Sequence, residues 1–218
     1  MLTNASQLLT RYVSLLNNRI SSLVLCCVDE GFPLFSMSKD AGLGLSEYTI
    51  GTVLSFSGLL FVFLQYAVYA ALIETLGVYG TLRVTSLAFP IVALCPVSLW
   101  LNRDQPGYDN LSWETFSYLS ILFAAYRVMA IAFFTTLMVA MNRSVAPSHR
   151  GTMNGLATLG GSITKGIGPT FTGLLVAFSL SAGFWSPQVG AVFMWGVIGG
   201  LGCVNSIATF MMLHENYE

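Results

Sequence analysis

Charge is what this sequence has least of. Nine Lys and Arg and ten Asp and Glu supply 9% of its 218 residues, where soluble domains carry roughly 25%. With 55% of the chain hydrophobic, that shortage excludes an ordinary soluble domain and predicts an all-α integral membrane protein embedded in the lipid bilayer. Basic blocks interleaved with aromatics are missing too, so nucleic acid is not an expected partner. Histidine is scarce, with only His149 and His214, and no Cys-x-x-Cys spacing joins Cys26, Cys27, Cys95 and Cys203. Those absences exclude the common metal-ligand and disulfide patterns, and the four cysteines read as small packing residues. Neither Gly-x-Ser-x-Gly nor His-x-x-Glu-His occurs, so no catalytic residue, metal or cofactor is expected. The first 19 residues lack an uninterrupted apolar run and contain Asn17, Asn18 and Arg19, which argues against a cleavable secretory leader.

What the chain does have is long apolar runs. A crossing helix needs about 20 apolar residues, and six such spans are drawn at 20–37, 48–73, 84–101, 116–138, 153–180 and 189–213. Residues 1–19 form a cytoplasmic segment, either an interfacial helix or the frayed start of the first span, and 214–218 a cytoplasmic tail. Outside the spans, Arg11, Arg19, Arg83, Arg143 and Arg150 fall on one side and Lys39 and Arg103 on the other. That asymmetry places both termini in the cytoplasm, and Trp100, Trp113 and Trp185 then mark the opposite interface. Which membrane holds the chain is not readable from these residues. Kinks are expected at Pro90 and Pro96.

Thirteen of the 21 glycines lie between Gly151 and Gly202. Their spacing, as in Gly151-x3-Gly155 and Gly196-x3-Gly200, predicts close packing of span five on span six, with Gly155, Gly160 and Gly168 against neighbouring helices. Gly51, Ser55, Ser57 and Gly58 suggest a similar small-residue face on span two.

The costliest residues are Asp29 and Glu30, adjacent acids inside the apolar run 24–35. A single charge at mid-bilayer depth costs about 2.5–3.5 kcal/mol on insertion scales, so such a pair needs counter-charges or a wet cavity. Arg127 and Lys165, each near the centre of its own span, are the available bases. Pro33 frees the carbonyl of Asp29 and Pro169 that of Lys165, each four residues earlier, so two broken helices carry a charge at the break. The arrangement reads as a solute or proton pathway; a static ion-pair cluster that fixes helix packing is the alternative.

Several stretches together resemble a known family: Cys27-Val28-Asp29-Glu30-Gly31-Phe32-Pro33-Leu34-Phe35, Gly42 to Gly51, and Asn142 to Gly155 running on to Lys165-Gly166-Ile167-Gly168-Pro169. They resemble the C-terminal six-span half of a major facilitator superfamily transporter, closest to fungal zinc-induced facilitator-like, drug:proton antiporter-type members. The resemblance covers residues 20–213 and implies six transmembrane helices forming one half of that fold. It also implies a small-molecule solute, protons as the coupling ion, and an N-terminal six-span half as partner. Gly166, Gly168, Pro169 and Gly173 echo the family's Gly-Pro antiporter motif, while the turn 74–83 keeps only Glu74, Gly77 and Arg83 of its cytoplasmic gating loop. The function implied is proton-coupled secondary transport, with a non-transporting remnant or partner half-subunit as the alternative.

Overall fold

The computed structural model describes the backbone of residues 2–104, 109–180 and 186–214, and the side chains of 11–104, 109–180, 186 and 188–211. Expectations for Trp185, for 181–185 and for the tail 215–218 lie outside the described residues. Every described element is helical: α1 (Leu2–Met37), α2 (Glu47–Ser86), α3 (Ala88–Ile91), α4 (Val97–Leu101), α5 (Trp113–Arg143), α6 (Arg150–Leu180) and α7 (Pro187–His214). Two 3-10 turns, Val92–Leu94 and Pro147–His149, accompany them. Lipid offers backbone groups no hydrogen-bond partner, and a helix satisfies them within itself. Capping is local: Ser46 and Ser112 accept the amides of Thr49 and Thr115, with Glu47 and Glu114 in the first turns of α2 and α5.

Five segments are long and apolar enough to cross a membrane: Arg11–Met37, Glu47–Leu94, Trp113–Arg143, Pro147–Leu180 and Gln188–Met211. Six were drawn from the sequence, and the difference lies in Glu47–Leu94. Its 48 residues would extend about 72 Å as a straight helix, against a hydrocarbon core of about 30 Å. The helix breaks at Gly77, whose φ of 65° and ψ of −175° belong to a region open essentially to glycine. Thr81 then donates its hydroxyl to the Leu72 carbonyl at 2.9 Å, whereas nine residues along a straight helix span about 13 Å. The chain therefore folds back there. The stretch drawn as one span at 84–101 is several short pieces, with Pro90 in α3 and Pro96 at the N-cap of α4. Residues 2–19, drawn as a separate segment, are continuous with α1.

Packing also departs from the glycine spacing. α6 lies chiefly along α1, α7 along α1 and α3, and α2 along α5. A side chain at Gly160 would meet Arg19 of α1, one at Gly168 would meet Cys26 at 2.5 Å, and one at Gly202 would run into the Phe89 backbone. Gly155, Gly151, Gly196 and Gly200 have nothing within 4 Å of such a side chain. The expected contact at Gly155 and the expected pairing through Gly196-x3-Gly200 are thus corrected: the two spacings turn outward, because a four-residue repeat marks one helix face without saying which. On α2, Gly51 and Gly58 are equally open and Ser55 is exposed; of the expected small-residue face only Ser57 is buried, alongside Ile50 and Val53. Aromatic pairs fill the interior, with Phe32 on Phe123 at 4.3 Å, Phe89 on Phe133 at 5.1 Å and Phe35 edge-on to Trp195 at 5.8 Å.

Candidate functional site

Asp29 and Glu30 sit on α1, one turn before Pro33. Consecutive helical residues point about 100° apart, so the two carboxylates diverge. Asp29 takes the partner: its Oδ1 lies 3.2 Å from Arg127 Nη2 of α5, joining helices that are distant in sequence. The pair is half-exposed, at 37% for the arginine side chain and 48% for the aspartate, so it lines an opening rather than a sealed core. Glu30 is exposed and, among the described residues, makes no ion pair. Lys165 is likewise exposed without an ion pair among the described residues, although its charge reaches Asp29.

Neither proline ends its helix: α1 runs on past Pro33 to Met37 and α6 past Pro169 to Leu180. Pro169 lies inside α6, and the Lys165 carbonyl four residues earlier accepts the Cys26 thiol at 3.8 Å. Gly168 permits that approach by leaving room for the cysteine. Cys26 is therefore half-buried between α1 and α6, Cys27 and Cys95 are buried, and Cys203 faces outward, so packing describes three of the four cysteines. Gly166 is open on the outer face of α6. In the turn between the two parts of α2, Glu74 is exposed, Gly77 carries the break, and Arg83 places its guanidinium 5.9 Å from the Phe210 ring centre.

Three groups near this centre were not singled out from the sequence. Tyr126, beside Arg127, is 2% exposed, yet its hydroxyl finds no partner among the described residues. A polar seam joins α1 to α7: Ser21 donates to the Asn205 carbonyl oxygen at 2.9 Å and Asn17 to the Thr209 hydroxyl at 3.1 Å. Asn18 reaches the Ala157 carbonyl of α6 at 2.9 Å. Asn17, Ser21 and Asn205 are fully buried. The available signal was polar residues recurring at four-residue steps, Asn17 and Ser21 and, across the seam, Asn205 and Thr209. A second recess, of about 230 Å³, opens between α2 and α5 beside Gln65, Tyr66, Tyr69 and Thr135. No group of three metal-ligating side chains occurs among the described residues.

On the far side from the Gly77 turn, the linker after α4 docks on the loop before α2. Asp109 accepts the Ser46 amide at 2.8 Å and the Thr49 hydroxyl at 2.6 Å, and its own amide donates to the Gly44 carbonyl at 3.0 Å. Those hydrogen bonds, the Thr49 hydroxyl foremost, hold the Asp109 carboxyl below the usual carboxylate range.

No family model and no solved structure matches the chain at a significant level. Among curated proteins, it is 30% identical over 214 residues to Protein ZINC INDUCED FACILITATOR-LIKE 1 of Arabidopsis thaliana, covering 91% of this chain and 43% of that one. It is 31% identical over 218 residues to Protein ZINC INDUCED FACILITATOR 1 of the same plant, covering 95% and 43%. A major facilitator superfamily multidrug transporter, mfsB of Aspergillus fumigatus, is 26% identical over 172 residues, covering 78% of this chain and 26% of that one. The chain thus spans less than half the length of the relatives it matches. Five apolar segments long enough to cross a bilayer and these matches agree: the chain is a multi-pass integral membrane protein, similar over most of its length to zinc-induced-facilitator and major facilitator superfamily transporters.

Proposed function

We propose that this chain is the C-terminal half of a proton-coupled secondary transporter for a small organic solute or metal chelate, working against an N-terminal six-span half. The observation that carries the reading is the half-exposed ion pair Asp29–Arg127, flanked by Glu30 and Lys165, on three different helices. Charges at that depth persist where they line a wet path. In this reading the fold-back at Gly77 separates two crossings, which brings the count to six and leaves both termini in the cytoplasm. Glu74, Gly77 and Arg83 then form the cytoplasmic gate, and the breaks at Pro33 and Pro169 supply bending.

Coupling follows from the divergence of the two acids. Asp29 is the standing partner of Arg127, and Glu30 takes up and releases the proton as the cavity changes sides. The chain is co-reconstituted with its N-terminal half in proteoliposomes that enclose a pH-sensitive dye, and candidate solutes are screened for proton flux. Glu30→Gln abolishes uptake driven by a pH gradient and leaves solute exchange in part, while Asp29→Asn impairs folding or binding. Full pH-driven uptake in both neutral variants overturns the reading.

A further inference from the structure

Lys165 opens onto a cavity of about 200 Å³ between α1, α5 and α6 that the proton-coupling reading does not use. Ser162 and Thr158 of α6 and Ser22 of α1 share its wall, and Phe134 and Met138 of α5 form its apolar side. Among the described residues, no carboxylate lines it. The nearby acid, Asp29, is engaged by Arg127, so the lysine charge has no paired counter-charge among the described residues. The hydroxyls of Ser22, Thr158 and Ser162 are likewise uncommitted among the described residues, and Ser22 is 3% exposed. Gly161 keeps the floor open: a side chain there would meet the Ser22 hydroxyl at 3.4 Å and the Asn18 amide at 3.6 Å.

An ammonium carries three donors and no acceptor, and a serine or threonine hydroxyl donates freely when a strong acceptor is offered. A cation that shares a cavity wall with such hydroxyls suits an oxyanion, through charge-assisted hydrogen bonds. The Phe134 and Met138 wall suits the apolar body attached to it. A volume below the roughly 300–1,000 Å³ of whole drug-sized pockets fits the anionic group and its neighbouring atoms rather than an entire solute.

We infer that Lys165, Ser162, Thr158 and Ser22 form an oxyanion subsite, which takes the carboxylate end of an amphiphilic organic anion. The inference rests on the transporter reading for the identity of its ligand as a solute. Binding is measured without transport or a pH gradient, so either can fail alone.

The chain in phosphatidylcholine nanodiscs is titrated calorimetrically with benzoate, benzyl alcohol and benzylamine, which share a ring and differ in charge. Benzoate binds about tenfold or more tightly than the alcohol, as a charge-assisted hydrogen bond requires, and benzylamine binds weakest. Lys165→Gln weakens benzoate by about tenfold or more, Lys165→Arg restores most of it, and Lys39→Gln in the distant loop changes nothing. Repeating the titration with phosphatidylglycerol identifies the source of the oxyanion. Competition that vanishes in Lys165→Gln assigns a lipid headgroup, and unchanged benzoate affinity assigns a soluble anion. Equal affinity for benzoate and benzyl alcohol, or benzoate binding indifferent to Lys165→Gln in a variant of unchanged thermal midpoint, overturns the inference.

Discussion

Thr49 donates its hydroxyl to Asp109 at 2.6 Å, tying a linker sixty residues downstream to the first turn of α2. The same carboxylate receives the Ser46 amide, so one half-buried side chain serves the cap of a crossing helix. Its carboxyl is held below the usual range in the folded chain. A group so depressed contributes stability that is complete above its unfolded value, about 3.9, and is lost as pH falls through the lower folded value. Asp109→Asn keeps the left-handed backbone at φ 63° accessible. Hydrogen exchange at the Ser46 amide is expected to run faster in Asp109→Asn than in the native chain at pH 6, with the gap closing as the native chain is taken to about pH 3. A pH-independent gap would separate the cap from the charge.

Glycine contacts give an opposed pair of expectations. Gly168→Leu drives a side chain into Cys26 of α1 and lowers stability in detergent by about 1–3 kcal/mol, the usual range for overpacking. Gly155→Leu, with open space around it, stays within about 0.5 kcal/mol. Thermal unfolding of the two variants side by side decides the face assignment.

At Gly77, alanine meets a backbone conformation open essentially to glycine, with a strain cost of about 1–3 kcal/mol. Gly77→Ala is expected to lower the thermal midpoint. Gly58→Ala, within the helical part of α2 and with open space around it, carries no such strain and is expected to change stability by no more than about 0.5 kcal/mol.

The polar groups in the core separate by whether they are satisfied. Ser21→Ala strips the Asn205 side-chain oxygen of its donor, in an amide whose nitrogen already has no partner among the described residues, at about 1–3 kcal/mol. Tyr126→Phe removes a buried hydroxyl that has no partner among the described residues, so stability holds or rises. Guanidinium or thermal denaturation in matched detergent reads both. A large loss in Tyr126→Phe would show that the hydroxyl is engaged in the folded chain.

Much of this architecture could be read from the residues because membrane burial makes charge expensive. The cost of Asp29 and Glu30 drew attention to Arg127 and Lys165, and Arg127 stands against Asp29 at 3.2 Å. Helical content and the apolar runs followed from the same solvent physics. The direction of the small-residue faces did not follow: Gly196 and Gly200 turn outward while Gly199 and Gly202 of the same helix meet the α3 region at Pro90, Ala93 and Phe89, one or two residues away in sequence. Nor could sequence show Asn17 meeting Thr209 across 192 positions, or Ser21 meeting Asn205 across 184, which depends on how α1 and α7 come together. The linker aspartate was hidden for another reason. Its partners are a backbone amide and a hydroxyl, which leave no charge pattern to find.

The half-open ion pair between α1 and α5 has a consequence for what can cover that side of the chain. Acyl chains cannot solvate a guanidinium and two carboxylates, so a face carrying Asp29, Glu30 and Arg127 is suited to water or to another protein surface and not to hydrocarbon. In the transporter reading this sets the rotation of the bundle in the bilayer: the charged face turns inward and the open glycines of α6 and α7 are left to the remaining sides.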